Sequence, residues 1–397
     1  MRQTSPTPRR PLAVLALAGA ALLALTGSPP AGAATSADEL VALGDSYAAG
    51  VGSGTTYRSD DPCLRSPASY PALVARSSGL ALTLAACSGA TTADVLADQA
   101  RWVERRTRYV TLTVGGNDLG FQPVLTTCAL PGWLGSCGSA LDRSLATLRT
   151  ALPGRLDAVL TAVRDRSPGA TVVVTGYPHL FADEDCSAVT FFSRTERTRL
   201  DAATDELDAL VEARTRAAGL RYADPRPAFT GHAWCERPSW VNGPSLPRTR
   251  SFHPTTAGHA AYADLVAPAL GLRNPGLRAA SPAPATPVDA AAADLPGATA
   301  GQRTRAGAFS FTAPDLGTAA TTRASLAAGL TRAELARFRR AVRTGADRGT
   351  LERLDTTLTR RAAQRRAHQR HADQPRADQS ERGQHRRAPG SALPTGG

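Results

Sequence analysis

The chain has 397 residues, 42% hydrophobic and 20% charged, with a formal net charge of +12 and no lysine. That length holds one large domain or two, and the uneven composition favours one domain with appendages. Of the charge, +11 lies after Ala300, from 19 arginines against 8 acidic residues, so the first 300 residues are nearly neutral and a uniformly basic protein is excluded.

In chain order, Arg2, Arg9 and Arg10 precede an apolar run from about Leu12 to Leu25, followed by Pro29, Pro30 and the small residues Ala31-Gly32-Ala33-Ala34. This reads as a removable secretory signal over residues 1–34, with cleavage near Ala33 or Ala34. The run is shorter than the ~20 residues a membrane span needs. Export also argues against a nucleic-acid partner.

From Glu39 to about Gly271 short β-rich runs alternate with longer helical stretches, which predicts an α/β fold with a mainly parallel sheet. The predicted strands are Leu40–Leu43, Ala81–Ala85, Tyr109–Val114, Thr171–Thr175 and Leu220–Ala223. Predicted helices cover Ser69–Ser77, a long stretch from about Ser139 to Arg166, Ser193–Ala218 and Thr256–Ala269. In the third of these, Leu200, Leu207 and Val211 recur at helical spacing between charged residues.

Polar clusters follow several of the predicted strands. The first strand runs into Gly44-Asp45-Ser46-Tyr47, the second into Cys87-Ser88-Gly89-Ala90, and the third into Gly115-Gly116-Asn117-Asp118. Ser251-Phe252-His253-Pro254 precedes the last helix. The six cysteines are Cys63, Cys87, Cys128, Cys137, Cys186 and Cys235, an even count that in an exported chain points to disulfides. Many pairings are open; the sequential one, Cys63 with Cys87, Cys128 with Cys137 and Cys186 with Cys235, closes each loop locally. Each bridge then contributes about 2–4 kcal/mol. No CxxC or His-rich spacing supports a metal site.

Residues from about Ala279 to Ala300 are dominated by Ala and Pro, too poor in large apolar groups to offset chain ordering, and read as a linker. Beyond it, Thr331 and Glu334 have the spacing of a capping box, with Leu330 and Leu335 as the staple. Leu335, Phe338 and Val342 share one helix face, and Leu351, Leu354 and Leu358 suggest a second helix before a Gln-, His- and Arg-rich end. A solvated charged helix is favoured here over a defined binding module.

Taken in order, the four clusters resemble the blocks of the SGNH (GDSL) hydrolases, and the resemblance covers roughly Glu39 to Gly271 with its six cysteines. It implies a three-layer α/β/α flavodoxin-like sandwich around a central parallel sheet, without metal or organic cofactor. The expected organisation is a signal peptide at 1–34, a hydrolase domain at 35–275, a linker at 276–328 and a basic, partly helical or disordered tail at 329–397. Ester cleavage needs a nucleophile, a base and fixed oxyanion donors. The resemblance assigns these to Ser46, to His253, and to the Ser46 and Gly89 N–H groups with the Asn117 amide. Asp45 and Asp118 read as structural hydrogen-bonders.

Among the histidines, His179 and His232 read as structural or substrate-lining, His259 as buried within the last helix, and His368, His371 and His385 as part of the tail. Many relatives carry Asp three residues before the catalytic histidine, but this chain has Arg250 there, and Arg248 and Thr249 offer no carboxylate. The resemblance narrows to secreted actinobacterial-type lipases and phospholipases, in which a main-chain oxygen orients the imidazole. The carbonyl of Arg250 or Ser251 is the expected acceptor, with Asp224 as a substitute acid.

A secreted, monomeric serine ester hydrolase of lipids or phospholipids is therefore expected. Tyr47, Phe121, Trp133, Leu134, Phe181, Phe191, Phe192 and Trp234 are candidate linings of an acyl groove. The alternatives are deacetylation of a wall or plant polysaccharide and, from another class, a non-catalytic surface-binding protein. The tail is expected to dock on anionic wall or membrane surfaces.

Overall fold

The computed structural model describes residues 38–273, 276, 293–308 and 310–373. The expected signal peptide lies outside them, as does most of the segment between Leu272 and Ala293.

Strand β1, Glu39–Gly44, leads into the one-turn helix α1, Ser46–Ala49. Leu40 to Leu43 are wholly buried, which is why this strand reads as an unbroken apolar run rather than an alternating one. Helix α2, Tyr70–Ser78, starts where the Ser69 hydroxyl accepts the Ala72 N–H and stops at Gly79 in the left-handed region. Strand β2, Ala81–Leu84, the short turn α3, Thr92–Asp94, and strand β3, Tyr109–Thr113, follow.

Helices α4, Phe121–Cys128, α5, Cys137–Thr150, and α6, Leu152–Arg166, come next. The single long helix expected over Ser139–Arg166 is thus two, broken at Ala151. Pro153, with no N–H and a ring that crowds the preceding turn, is tolerated in the first turn of a helix and not in its interior. Strand β4, Thr171–Thr175, helix α7, Arg194–Ala217, opened by the Ser193–Glu196 capping box, strand β5, Arg221–Ala223, and helices α8, Arg226–Phe229, and α9, Thr256–Ala269, complete the expected domain.

The strands are all parallel, in the order β5-β4-β3-β1-β2-β6, where β6 is Ala293–Asp294. From β1 the chain moves one way along the sheet to β2, and from β3 the other way to β4 and β5. Right-handed crossovers therefore place α2 and α7 on opposite faces. The helices accordingly pack in two groups, α2 with α9 and α5 with α6 and α7, which makes the three-layer sandwich. The strand order reverses between β1 and β3, and the crevice beyond their C-terminal ends is where such sheets bind ligands. The three disulfides are Cys63–Cys87, Cys128–Cys137 and Cys186–Cys235.

The tail is helical where a helical pair was expected, and the described part of the expected linker carries regular structure. Within 276–328, β6 adds to the β2 edge, pairing Leu82 with Ala293 and Thr83 with Asp294. Helix α10, Ala300–Ala308, follows, then the buried Phe311 and helix α11, Ala319–Ala327. The composition rule sums over a segment, and here a few well-placed groups suffice to seat it: the Pro296 carbonyl accepts from buried Arg65 at 2.8 Å.

Helices α12, Arg332–Arg343, and α13, Arg348–Asp373, are not solvated on all sides. Leu330, Leu335, Phe338, Leu358 and Ala362 bury a second apolar cluster against Trp133 and Phe191 of the body. The Trp133 and Phe338 rings meet edge to face at 4.8 Å. Arg348 ion-pairs with buried Asp185, and the Asp355 carboxylate accepts the Gly132 N–H at 2.9 Å. Among the described residues no helix is long and apolar enough to cross a membrane.

Phe338 is fully buried at the centre of this second cluster. Phe338→Ala should lower the unfolding free energy by about 3–5 kcal/mol, the usual cost of an aromatic deletion in a core. Urea denaturation followed by tryptophan emission checks this; an unchanged midpoint would mean the tail helices do not pack as described.

Candidate active site

Gly44 ends β1 with φ 126°, and a Cβ there would collide with the Thr113 carbonyl of β3, so only glycine lets the two strands part at this point. The buried Gln99 side chain clamps the same residue, accepting its N–H at 2.7 Å and donating to its carbonyl at 2.9 Å. Asp45 then caps α1, its carboxylate accepting the Tyr47 N–H at 2.9 Å. Ser46 is consequently the first residue of a helical turn, where backbone N–H groups lack intrahelical partners.

Ser46 Oγ lies 2.8 Å from His253 Nε2, and His253 Nδ1 lies 2.9 Å from the Ser251 carbonyl. A carbonyl can only accept, so Nδ1 carries the proton and Nε2 presents its lone pair to the serine, whose hydroxyl donates. The ring is held through its backbone. Phe252 sits in the left-handed region with φ 59°, a conformation that costs a bulky residue about 1–3 kcal/mol and is kept by its surroundings. Tyr47 Oη donates to the Phe252 carbonyl at 2.9 Å, and the Asn242 backbone and side-chain N–H groups both donate to the His253 carbonyl at 2.9 Å.

Of the two expected acceptors, Arg250 is corrected. Its carbonyl takes the backbone N–H of His253 at 3.3 Å, closing the turn, while the ring nitrogen meets the Ser251 carbonyl. Asp224 is occupied by Arg226, with contacts of 2.9 and 2.8 Å. Burial, only partly countered by the Ser251 hydrogen bond, pushes the His253 imidazole down to about 4. The ring is therefore neutral, and competent to accept a proton, at neutral pH.

Asn117 and Ser46 line one cavity, and Asn117 Nδ2 also donates to the Ala90 carbonyl at 2.9 Å. That bond ties the third block to the second. Asp118 reinforces the tie, its carboxylate accepting the Thr92 N–H at 2.9 Å and the Thr92 hydroxyl at 2.6 Å. Gly89 follows the Cys63–Cys87 bridge with φ 81°. It sits beside Ala90 and is not among the residues that line the cavity. Among the described residues, neither the Ser46 nor the Gly89 backbone N–H has a hydrogen-bond partner.

The other histidines are engaged elsewhere. His259 is buried in α9 with Nε2 3.1 Å from the Val51 carbonyl, His179 pairs with Asp205 at 2.8 Å, and His232 stacks on Trp240 at 3.6 Å. His368 and His371 lie on α13, with His368 Nδ1 2.8 Å from the Gln364 carbonyl, and His385 lies outside the described residues.

Sequence reasoning missed Tyr177. Its hydroxyl donates to Asp45 at 2.5 Å and accepts the Gly116 N–H at 3.1 Å, while its own N–H reaches Asp208 at 3.0 Å. One phenol thus joins the loop after β1 to the loop after β3. Burial raises Asp45 to about 7 and Asp208 to about 8, against the hydrogen bonds that favour their charged forms. The Gly176-Tyr177-Pro178 sequence just after β4 is the signal that would have found it.

The cavity occupies about 900 Å³, its open mouth included. Its walls are mostly apolar, with Leu119, Phe121, Val124, Leu125, Leu141, Leu180, Leu200, Leu207, Phe252 and Phe311, and polar lining comes from Gln122, Ser144, Thr204 and Thr249 as well as from Ser46, Asn117 and His253. Of the expected groove residues, Tyr47 and Phe121 line it. Phe181, Phe192 and Trp234 instead pack around Phe252, and Trp133, Leu134 and Phe191 belong to the second apolar cluster.

A family profile described as GDSL-like lipase/acylhydrolase matches residues 42–261. A lipase of Streptomyces rimosus is 39% identical over 255 residues, covering 64% of this chain and 94% of that protein. Lipase 1 of Streptomyces coelicolor is 40% identical over 254 residues, covering 63% and 92%. The similar solved structures include an extracellular lipase from S. rimosus, at 38% identity and TM-score 0.55 over 59% of this chain and 100% of the other, and phospholipase A1 from Streptomyces albidoflavus, at 39% and 0.54 over 58% and 98%.

Because Nε2 must be unprotonated to receive a proton, covalent labelling of Ser46 by a fluorophosphonate should hold steady from pH 7 to about 5. Below about 4 it should fall about tenfold per pH unit. A half-loss near pH 6.5 would mean that the imidazole is not shielded as described.

Proposed function

The chain belongs to the GDSL-like lipase/acylhydrolase family and is a carboxylic ester hydrolase of lipid esters, and from that premise we propose that Ser46 and His253 carry the reaction as a dyad. Two short contacts support this reading above all others: Ser46 Oγ to His253 Nε2, and His253 Nδ1 to a main-chain carbonyl. Ser46 Oγ attacks the ester carbonyl while Nε2 takes its proton. The tetrahedral oxyanion is met by the Ser46 and Gly89 N–H groups and by the Asn117 side-chain amide. Collapse expels the alcohol with the proton from His253, and water then cleaves the acyl-enzyme with the same base.

Among the described residues the acceptor behind the imidazolium formed in each step is the Ser251 carbonyl rather than a carboxylate. The compensation lies in preorganisation: the ring is fixed in one tautomer before substrate arrives. The apolar walls favour a long acyl group over acetyl, since each methylene buried contributes about 0.8 kcal/mol. That favours lipid and phospholipid acyl chains over the polysaccharide acetyl ester. Three disulfides fit an oxidising compartment, and a similar solved structure is of an extracellular lipase, so we place this enzyme outside the cell. The arginines of the tail's outward faces remain a proposed anchor on anionic surfaces.

Asn117→Ala should lower kcat by about 10²–10³, roughly 3 kcal/mol of lost oxyanion stabilisation, while Ser46→Ala and His253→Ala abolish turnover. The measurement is kcat/KM on a panel of 4-nitrophenyl esters and on phosphatidylcholine vesicles. Preference for acetyl over octanoyl esters would contradict the lipid assignment, and full turnover by Ser46→Ala would contradict the dyad.

A further inference from the structure

We infer that Phe311, which lies beyond residue 261 where the family match ends, is a specificity-determining residue that limits the length of acyl chain the active-site cavity accepts; this rests on the Ser46–His253 reading of the site. Its ring is 3% exposed and lines the same cavity as both residues. It meets Phe252 edge to face at 4.9 Å. Phe252 is the left-handed residue directly before His253, so the added aromatic touches both the acyl wall and the turn that aims the base.

The ring is fixed there by attachments on both sides of it in the chain. Upstream, β6 hydrogen-bonds to the β2 edge, the Pro296 carbonyl accepts from Arg65, and Thr299 Oγ1 donates to Asp98 at 3.2 Å. Downstream, Trp133 Nε1 donates to Ser325 Oγ of α11 at 3.2 Å, and α12 and α13 bury the Phe338 cluster. Phe311 is therefore held between anchors on either side, with Ala313 also packed against the main core. A wall of this kind discriminates by size. Each further methylene that finds a place in the cavity adds roughly fourfold in binding, and one that meets the ring loses that gain.

The experiment uses the full chain and a series of 4-nitrophenyl esters from acetyl to palmitoyl. The quantity read is the ratio of kcat/KM for each ester to that for the acetyl ester, for wild type, Phe311→Ala, Phe311→Leu and Phe311→Trp. Removing the ring should raise the ratio for the longest chains by at least about fivefold, Phe311→Leu should fall between, and the larger indole should lower it similarly, chiefly through KM. Because ratios are compared within one variant, a fall in total active enzyme leaves the readout intact. Phe311→Leu and Phe311→Trp carry the test if Phe311→Ala does not fold. Superimposable ratio profiles in the folded variants overturn the inference. Ser46→Ala is run in the same series: turnover there overturns the site reading instead, so the two failures are distinct.

Discussion

The hydrogen bond from His253 Nδ1 to the Ser251 carbonyl is the constraint on which the proposed chemistry turns. An acceptor with no proton to give admits one tautomer, and that tautomer alone leaves Nε2 able to receive a proton from Ser46. The contact spans only two residues, so it is a local property of the loop. Its geometry is nevertheless maintained from afar, by Tyr47 on the Phe252 carbonyl and by Asn242 on that of His253. A backbone dipole thus takes the orienting part that a carboxylate plays elsewhere, and the cost moves into the loop as a strained left-handed phenylalanine.

The sheet places the other members of the site. Adjacent strands β1 and β3 lead away in opposite directions, and the gap that opens beyond their ends receives the cavity. Tyr177, arriving from the next strand over, bridges the two loops through Asp45 and Gly116. Asp45 and Asp208 are buried, so leaving either without its hydrogen bonds would be costly, and the phenol that satisfies one is anchored by the other. Nucleophile loop and amide loop are in this way held as one unit.

Much of the frame was legible in the residues. The doubly buried β1 declares itself as an unbroken apolar run, and glycines and small polar residues mark where the strands end. What stayed hidden has a common physical character. Gln99, Tyr177 and Asn242 act through contacts made far along the chain, which no local spacing encodes. The choice between the Arg250 and Ser251 carbonyls depends on the φ of Phe252, a residue type that gives no hint of a left-handed turn. Segments rich in Ala and Pro look structureless by composition, yet β6 borrows its ladder from β2 and a single phenylalanine supplies the burial at the cavity. The break at Ala151 was written in Pro153 and outweighed by the helical periodicity on either side.

The order in which these parts are synthesised differs from the order in which they meet. A ribosome releases Ser46 early, its proposed proton acceptor much later, and Phe311 with the helices that follow it last of all. A nascent chain therefore bears a serine hydroxyl with no base to activate it and an apolar trough still open to water. On the proposed reading, the pair is complete only once some two thirds of the polypeptide has emerged, and the segment that carries Phe311 closes the apolar wall after that.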